Sequence, residues 1–159
     1  LLAPTFSPTM IAASKKRNVI PALVELEVDC RLLPGQTQTD IEPVVRAMLG
    51  DAIAYELVWG DAQGGTRSPL DTPLWTAIES FVAEVEPGAG AVPLACPGFT
   101  DSHWLRAAFG TVAYGFFPMR AMPAEISAQL VHSADERIPV DDLELGVAWM
   151  RHAAHALLG

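Results

Sequence analysis

Apolar and polar positions alternate between residues 24 and 31, and this period of two predicts a strand with one face toward solvent. The apolar members are Val24, Leu26, Val28 and Cys30. An earlier strand is predicted from Thr5 onward, and a third over residues 53–59, where the alternation returns. Between the second and third strands, Thr39 and Glu42 form a predicted capping box that opens a helix. The first part of the chain therefore predicts the order strand, strand, helix, strand.

The glycine-rich, polar stretch at residues 60–68 is interpreted as a linker between two domains, 1–62 and 63–159. Beyond it, Thr72 followed by Pro73 predicts a helix start, because proline is favoured at the first helical position. We expect the apolar stripe of that helix to be buried. Its members are Leu74, Ile78, Phe81, Val82 and Val85.

The remaining pattern alternates short apolar runs with helical segments. Strands are predicted over residues 92–96 and 111–117, and the second is of the fully buried kind. Thr100 is expected to cap a helix over residues 101–109. Asp141 and Glu144 predict the start of a final helix. Its expected inward face consists of Leu143, Val147, Met150, Ala154 and Leu157. The fold class predicted from this order is mixed α/β.

Composition narrows the range of functions. Half of the 159 residues are hydrophobic, which is typical of a chain that buries a core, and the formal net charge is -9. A nucleic-acid partner is not expected, because the one cationic cluster, Lys15 to Arg17, is a short run typical of a solvated loop. No apolar run is long enough to predict a membrane span. Cys30 and Cys96 stand far apart and indicate neither a zinc knuckle nor a disulfide framework.

Among the four histidines, His132 is the strongest candidate for chemistry. It follows the apolar pair Leu130-Val131 and precedes an acidic and basic run, at a predicted strand or loop end where ligands are often presented. A neutral imidazole there suits zinc. The alternative is a partly buried histidine bonded to backbone. His152 and His155 share a predicted helix but lack an acidic third ligand, and His103 falls in the first turn of a predicted helix.

Two further places, the Gly98–Thr100 segment and Arg31, could bind an anion. Gly98 and Thr100 lie at a predicted helix start, where backbone N–H groups are available, although Thr100 could equally be an ordinary cap. Asn18 precedes a strand. Arg31 ends one on its polar face, where it could hold a carboxylate or simply pair with Asp29 or Glu27.

These pieces occur in a characteristic order along essentially the whole chain. The segments are Ser7–Met10, Asn18–Pro21, Asp29–Gly35, Thr100–Ser102, Tyr114–Phe116 with Pro118, and His132 with Asp135–Arg137. Together they resemble the aminoacylase, carboxypeptidase S and desuccinylase family of zinc hydrolases, the M20 peptidases. The resemblance implies part of a ferredoxin-like dimerisation domain, or lid, followed by the C-terminal part of an α/β catalytic domain.

The resemblance also implies an activity, namely zinc-dependent hydrolysis of the amide bond of N-acyl amino acids or small peptides. By position, His132 is the family's last zinc ligand, while Asn18, Arg31, Gly98 and Thr100 contact the substrate. Two zinc ions, homodimerisation through the lid and a cytoplasmic location are expected for the parent enzyme.

The family's other zinc ligands and its Glu-Glu pair are not found in these residues, so we expect the isolated chain to bind zinc weakly and to be inactive. The alternative hypothesis is a noncatalytic module that dimerises or binds a partner through the lid-like sheet. A chain separated from the rest of its domain is further expected to expose apolar surface.

Overall fold

The computed structural model describes residues 3–60, 64–96 and 98–159. In chain order its elements are β1 (Thr5–Ala12), β2 (Glu25–Arg31), α1 (Gln38–Leu49), α2 (Pro73–Val85), α3 (Ser102–Phe109), α4 (Ala124–Leu130) and α5 (Val140–Leu158). A two-stranded sheet with helices confirms the predicted mixed α/β class. Within the described ranges, no helix is long and apolar enough to cross a membrane.

The elements fall into two compact units. Unit 1 comprises residues 1–67 and 94–111, and unit 2 comprises residues 68–93 and 112–159. The predicted domain boundary at residues 62/63 lies outside the described residues, since 61–63 are not among them. The division into domains 1–62 and 63–159 therefore stays a prediction.

The sheet of unit 1 confirms the first two predicted strands. β1 and β2 are antiparallel, with Thr5 opposite Arg31 and Ala12 opposite Glu25. The expected apolar face forms, but it is not covered. Leu26 is 54% exposed and the cross-strand partner Ile11 is 71% exposed. A two-stranded sheet is only marginally stable in water, so this face is a surface that another element could stabilise by packing on it.

The predicted capping box of α1 is displaced by two residues. Thr37, not Thr39, is the N-cap residue, and the carboxylate of Asp40 accepts hydrogen bonds from the Thr37 N–H (2.8 Å) and hydroxyl (2.9 Å). The Thr37 N–H is the main cause of the lowered pKa of Asp40. Glu42 instead pairs with Arg46 one turn later, at 2.6 Å.

The core of unit 2 lies between α2 and α5. Thr72 caps α2 by accepting a hydrogen bond from the Trp75 N–H at 3.1 Å, and Pro73 stands at the first helical position, as predicted. Phe81 of α2 packs against Trp149 of α5 with their ring centroids 5.5 Å apart. The buried cluster consists of Ala77, Ile78, Phe81 and Trp149. Leu74, Val82 and Val85 pack around it, which confirms the predicted stripe of α2.

The predicted inward face of α5 is wrong in the structure. The residues that contact the core of unit 2 are Leu145, Trp149 and Ala153, with Gly146 also buried. The predicted face points outward instead, and Leu143, Val147, Met150, Ala154 and Leu157 are all exposed. The error has a physical reason, because α5 carries apolar residues on two sides and periodicity alone does not say which side meets α2.

Three predicted strands are also missing from the described residues. Residues 53–59, 92–96 and 111–117 form no strand, although 111–117 is nearly continuously apolar. In that last segment the Ala113 N–H donates to the Ser68 hydroxyl at 2.9 Å. A strand depends on hydrogen bonds to a neighbouring strand, and sequence periodicity does not supply that neighbour. The helix α4, in contrast, was not predicted.

Candidate functional site

His132 lies in a tight turn immediately after α4. Among the described residues it is the non-glycine residue with a positive φ, 63°. Its N–H donates to Oε2 of Glu136 at 3.2 Å, and the following N–H, of Ser133, donates to the carbonyl of Leu130 at 2.9 Å. The side chain of His132 is exposed. The helix therefore ends in a left-handed residue at the position where glycine is most common.

The acidic residues after His132 belong to this turn and do not open α5. The Asp135 N–H donates to the Ser133 hydroxyl at 3.3 Å, and Arg137 donates to the Asp135 carbonyl at 3.0 Å. α5 begins only at Val140. Asp135 and Glu136 therefore do not lie at a helix start, and the Glu136 carboxylate instead accepts the N–H of His132.

The turn that leads into α4 is fixed by a buried carboxylate. Asp142 is 1% exposed and accepts hydrogen bonds from the backbone N–H groups of Arg120 (2.6 Å), Ala121 (2.8 Å) and Met122 (2.8 Å). These bonds, first among them the one from Arg120, lower the pKa of Asp142 because they favour its charged form. The first turn of α5 thus anchors the segment that precedes α4.

In unit 1, Asn18 and Arg31 occupy different parts of the sheet. Asn18 lies in the turn that connects β1 to β2, and its side chain is exposed. Arg31 ends β2 and its Nε donates to Asp29 Oδ2 at 2.7 Å, with both side chains 43% exposed. The alternative role considered for Arg31, pairing with a neighbouring carboxylate, is the one seen in this structure. An exposed pair of this kind contributes little to stability.

Gly98 and Thr100 are exposed in the segment before α3. Thr100 does not cap the helix: Asp101 is the N-cap residue, and the carbonyl of Thr100 accepts the N–H of His103 at 3.0 Å. A Cβ added to Gly98 would meet only the Cys96 sulfur, at 3.8 Å, so packing does not require glycine there. The roles of Gly98 and Thr100 stay predictions.

His103 packs against that segment. The sequence analysis did not predict this contact. It is 9% exposed, its ring centroid lies 5.1 Å from that of Phe99, and its Nδ1 lies 3.4 Å from the hydroxyl of Thr66. Arg106 donates to the same hydroxyl at 3.0 Å. His103 is thus a packed residue of unit 1 that holds residues 99 and 100 in place.

In unit 2, His152 joins α2 to α5. Its Nε2 lies 2.9 Å from the Ser80 hydroxyl and its Nδ1 lies 3.5 Å from Glu84 Oε2, while its ring contacts Phe81. The order hydroxyl, imidazole, carboxylate is that of a hydrolytic relay. However, such a relay also needs free N–H donors for an oxyanion, and here the serine lies inside a helix and donates to the Ala77 carbonyl. The contact is therefore a structural link between helices.

The described part of the chain does not bring together a complete metal centre. Within residues 3–60, 64–96 and 98–159, no group of three or more His, Cys, Asp or Glu side chains converges to hold a metal ion. A zinc ion bound in a catalytic site usually takes three protein ligands. His132 could supply one ligand only, and the others would have to come from another segment.

Sequence comparison finds proteins that are similar to this chain. A family model described as a peptidase dimerisation domain matches residues 1–55. The N-fatty-acyl-amino acid synthase/hydrolase PM20D1 of Bos taurus is 29% identical over 154 residues, which is 94% of this chain and 30% of that protein. The human protein of the same name is 26% identical over 156 residues, again 94% of this chain and 30% of its own length. The mouse protein is 28% identical over 151 residues, 91% of this chain and 29% of that protein.

This chain therefore spans about 30% of the length of the curated relatives that it matches. No solved structure matches it significantly. The family model and the relatives together confirm the predicted resemblance: the chain resembles the M20 peptidases, with a peptidase dimerisation domain at residues 1–55.

Proposed function

We propose that this chain is the C-terminal portion of a zinc-dependent amidohydrolase that hydrolyses the amide bond of N-acyl amino acids or small peptides. The peptidase dimerisation domain at residues 1–55 supports a place in that family. The matched relatives are named as N-fatty-acyl-amino acid synthase/hydrolases, which supports an N-acyl amino acid as the substrate class. A cytoplasmic location remains part of the proposal.

The observation that carries the proposal is the conformation of His132. A side chain at a φ of 63° costs about 1 kcal/mol relative to glycine, and the side chain of His132 is exposed, so its burial does not offset that cost. Backbone strain of this kind tends to occur where a side chain is needed for function. An imidazole held in a rigid turn at a helix end is suited to act as a zinc ligand.

The chemistry assigned to the whole protein follows from these roles. Bound zinc would supply an activated water for attack on the amide carbonyl. The residues of this chain would bind and orient: His132 as one ligand, with Asn18, Arg31, Gly98 and Thr100 toward the carboxylate or carbonyl of the substrate. The isolated chain would be inactive, since one ligand does not hold a catalytic metal.

The test is an assay of the full-length protein, with zinc, for release of free amino acid from a panel of N-acyl amino acids and dipeptides. We expect the His132→Ala variant to lose activity and to retain less zinc after dialysis. His155→Ala is the matched control, because His155 is an exposed histidine on α5. Full activity and full zinc content in His132→Ala would contradict the proposal.

A second candidate function is a noncatalytic dimerisation or partner-binding module. The exposed apolar pair Ile11 and Leu26 on one face of the sheet favours it, because such a patch marks an interaction surface. A homodimer through this domain is compatible with both functions. Sedimentation velocity of the 159-residue chain tests it: Leu26→Asp should weaken association, whereas Glu25→Gln should not. A chain that is monomeric at all concentrations would count against the homodimer.

A further inference from the structure

The segment that connects β1 to β2, residues 13–24, concentrates positive charge in an acidic protein. Lys15, Lys16 and Arg17 follow one another in it, and the segment contains no Asp or Glu. The whole chain, in contrast, has 10 Lys and Arg against 19 Asp and Glu. Because Lys and Arg side chains are protonated at neutral pH, residues 13–24 are a positive region on a protein whose formal net charge is -9. We call this segment the basic connection.

The charges of the basic connection are available to a ligand. The side chains of Lys15, Lys16 and Arg17 are all exposed. Among the described residues, the ion pairs are formed by other cations, such as Arg46 with Glu42. Clustered, exposed cations create a positive potential that extends over about 10 Å at an ionic strength of about 0.1 M. The basic connection can therefore attract an anion before any direct contact forms.

The backbone of the basic connection is held by hydrogen bonds to the main chain of Lys16. The Ser14 hydroxyl lies 3.0 Å from the Lys16 carbonyl oxygen, to which it donates, and 3.2 Å from the Lys16 backbone nitrogen. The Val19 N–H donates to the same carbonyl at 3.3 Å. The side chain of Lys16 takes no part in these bonds, so its charge can be changed while they are kept.

The residue that follows the three cations is Asn18, which the proposed function places toward the substrate. Consecutive α-carbons are about 3.8 Å apart, so the cations lie within one screening length of Asn18. The two substrate classes of the proposed function differ in charge. An N-acyl amino acid with an uncharged side chain keeps only its carboxylate and is an anion. A dipeptide also has a protonated amine and carries no net charge.

We propose that Lys15, Lys16 and Arg17 favour N-acyl amino acids over dipeptides by attracting the anionic substrate toward Asn18. The inference rests on the proposed function and narrows its two substrate classes to one. The attraction acts on the bound substrate and on the transition state alike, so it lowers KM and leaves kcat unchanged. It also weakens as salt is added.

A small anion fits these charges better than an anionic membrane does. Three cations give only weak attachment to a membrane surface, and the excess of acidic residues in the chain opposes it. A substrate anion needs no lasting attachment, because a weak attraction is enough to raise its local concentration. The membrane is therefore kept as an alternative outcome of the test.

Steady-state kinetics of the full-length protein with zinc test the proposal on two isosteric compounds, N-propionyl-leucine and glycyl-leucine. The first ends in a methyl group where the second has an ammonium group. Lys16→Glu is compared with Arg151→Glu, which makes the same change of charge at an exposed residue of α5. Lys15→Gln, Arg17→Gln is a second variant that leaves Lys16 intact. Leucine release is measured at pH 7, at ionic strengths of about 0.02 M and about 0.5 M. If glycyl-leucine is not cleaved, its inhibition constant replaces its KM.

We expect Lys16→Glu to raise the KM for N-propionyl-leucine about fivefold at the lower ionic strength and to leave kcat unchanged. The KM or inhibition constant of glycyl-leucine should change less than about twofold, and at the higher ionic strength both compounds should behave alike. The double variant should show the same pattern. The control Arg151→Glu should change neither compound.

Equal effects of Lys16→Glu on the two compounds would overturn the proposal, and so would equal effects of Lys16→Glu and Arg151→Glu. Binding of the wild type, but not of Lys16→Glu, to phosphatidylglycerol vesicles with an unchanged KM would assign the charges to a membrane surface and overturn it as well. Failure of the proposed function gives a different result. In that case the wild type releases leucine from neither compound, and the inference falls with the proposed function.

Discussion

At the scale of single residues, a substitution of His132 can test its effect on stability separately from its proposed function. Glycine adopts a φ of 63° without steric cost, whereas any residue with a Cβ is strained there. We expect His132→Gly to raise the free energy of unfolding of the 159-residue chain by about 0.5–1 kcal/mol, even though glycine is more flexible in the unfolded state. Urea denaturation followed by circular dichroism measures the change.

Glycine at position 155 is the matched control, because His155 lies inside α5 with ordinary helical geometry. There glycine should lower stability by about 1 kcal/mol. A His132→Gly variant that is less stable than the wild type would show that the turn depends on the imidazole itself. In that case the strain argument for a functional role of His132 would lose its basis.

Asp142 makes the folding stability of the chain depend on pH in the acidic range. Its pKa is lowered in the folded state, so the stability it contributes is fully present above its ordinary value of 3.8 and is lost as the pH falls through the lower, folded value. We expect Asp142→Asn to be less stable than the wild type at pH 7 and to lose less stability between about pH 4 and pH 2. Urea midpoints measured across that range test both statements.

Asp141→Asn is the control for this prediction, because Asp141 is the exposed neighbour. Asp40 and Glu42 also have lowered pKa values, from bonds with Thr37 and Arg46, but they are unchanged in both variants. The difference between wild type and Asp142→Asn therefore isolates Asp142. Parallel pH curves for the two proteins would refute the role assigned to its three backbone hydrogen bonds.

At the scale of elements, Gly146 sets how closely α5 approaches the segment ending at Phe117. A Cβ at position 146 would lie 2.3 Å from the ring of Phe117, so the ring would have to move. The gain in helix propensity, about 1 kcal/mol, is smaller than the usual cost of overpacking. We expect Gly146→Ala to lower the free energy of unfolding by about 1 kcal/mol. Gly115→Ala, with no atom within 4 Å of the added carbon, should be nearly neutral.

The elements that the sequence predicts correctly are those with local signals. Thr72 and Pro73 specify the start of α2, and strict alternation specifies β2, because the causes lie within a few residues. The predicted strands at residues 53–59 and 111–117 would need neighbouring strands, and neither forms. The side of α5 that is buried is decided by its contact with α2. Those outcomes are set by tertiary contacts, which periodicity does not encode.

The candidate site was predictable to the same limited degree. His132 was singled out because of the order of motifs around it, but its left-handed conformation and its bond to Glu136 depend on how α4 ends. The contacts of His103 with Thr66 and of His152 with Ser80 join residues far apart in sequence. A single sequence gives no signal for such pairs.

At the scale of the whole molecule, the balance between net charge and exposed apolar surface should control solubility. The charge of -9 keeps copies apart at neutral pH, and that repulsion vanishes near the isoelectric point of about 4.7. Apolar patches such as the exposed side chains of Leu143, Val147 and Met150 on α5 can then bring copies together. We expect light scattering of the 159-residue chain to rise steeply as the pH approaches 4.7, and the chain to bind the dye ANS already at pH 7.

The double variant Leu143→Gln, Met150→Gln tests which surface is responsible. Both side chains are already at least half exposed, so the urea midpoint should stay within a few tenths of a molar of the wild-type value while dye binding and scattering fall. Ile78→Ala is the opposite control: it opens the buried core of unit 2, and should lower the free energy of unfolding by about 3 kcal/mol and increase dye binding. Unchanged scattering in the double variant would show that another surface causes the association. The exposed face of the β1–β2 sheet would then be tested with Leu26→Asp.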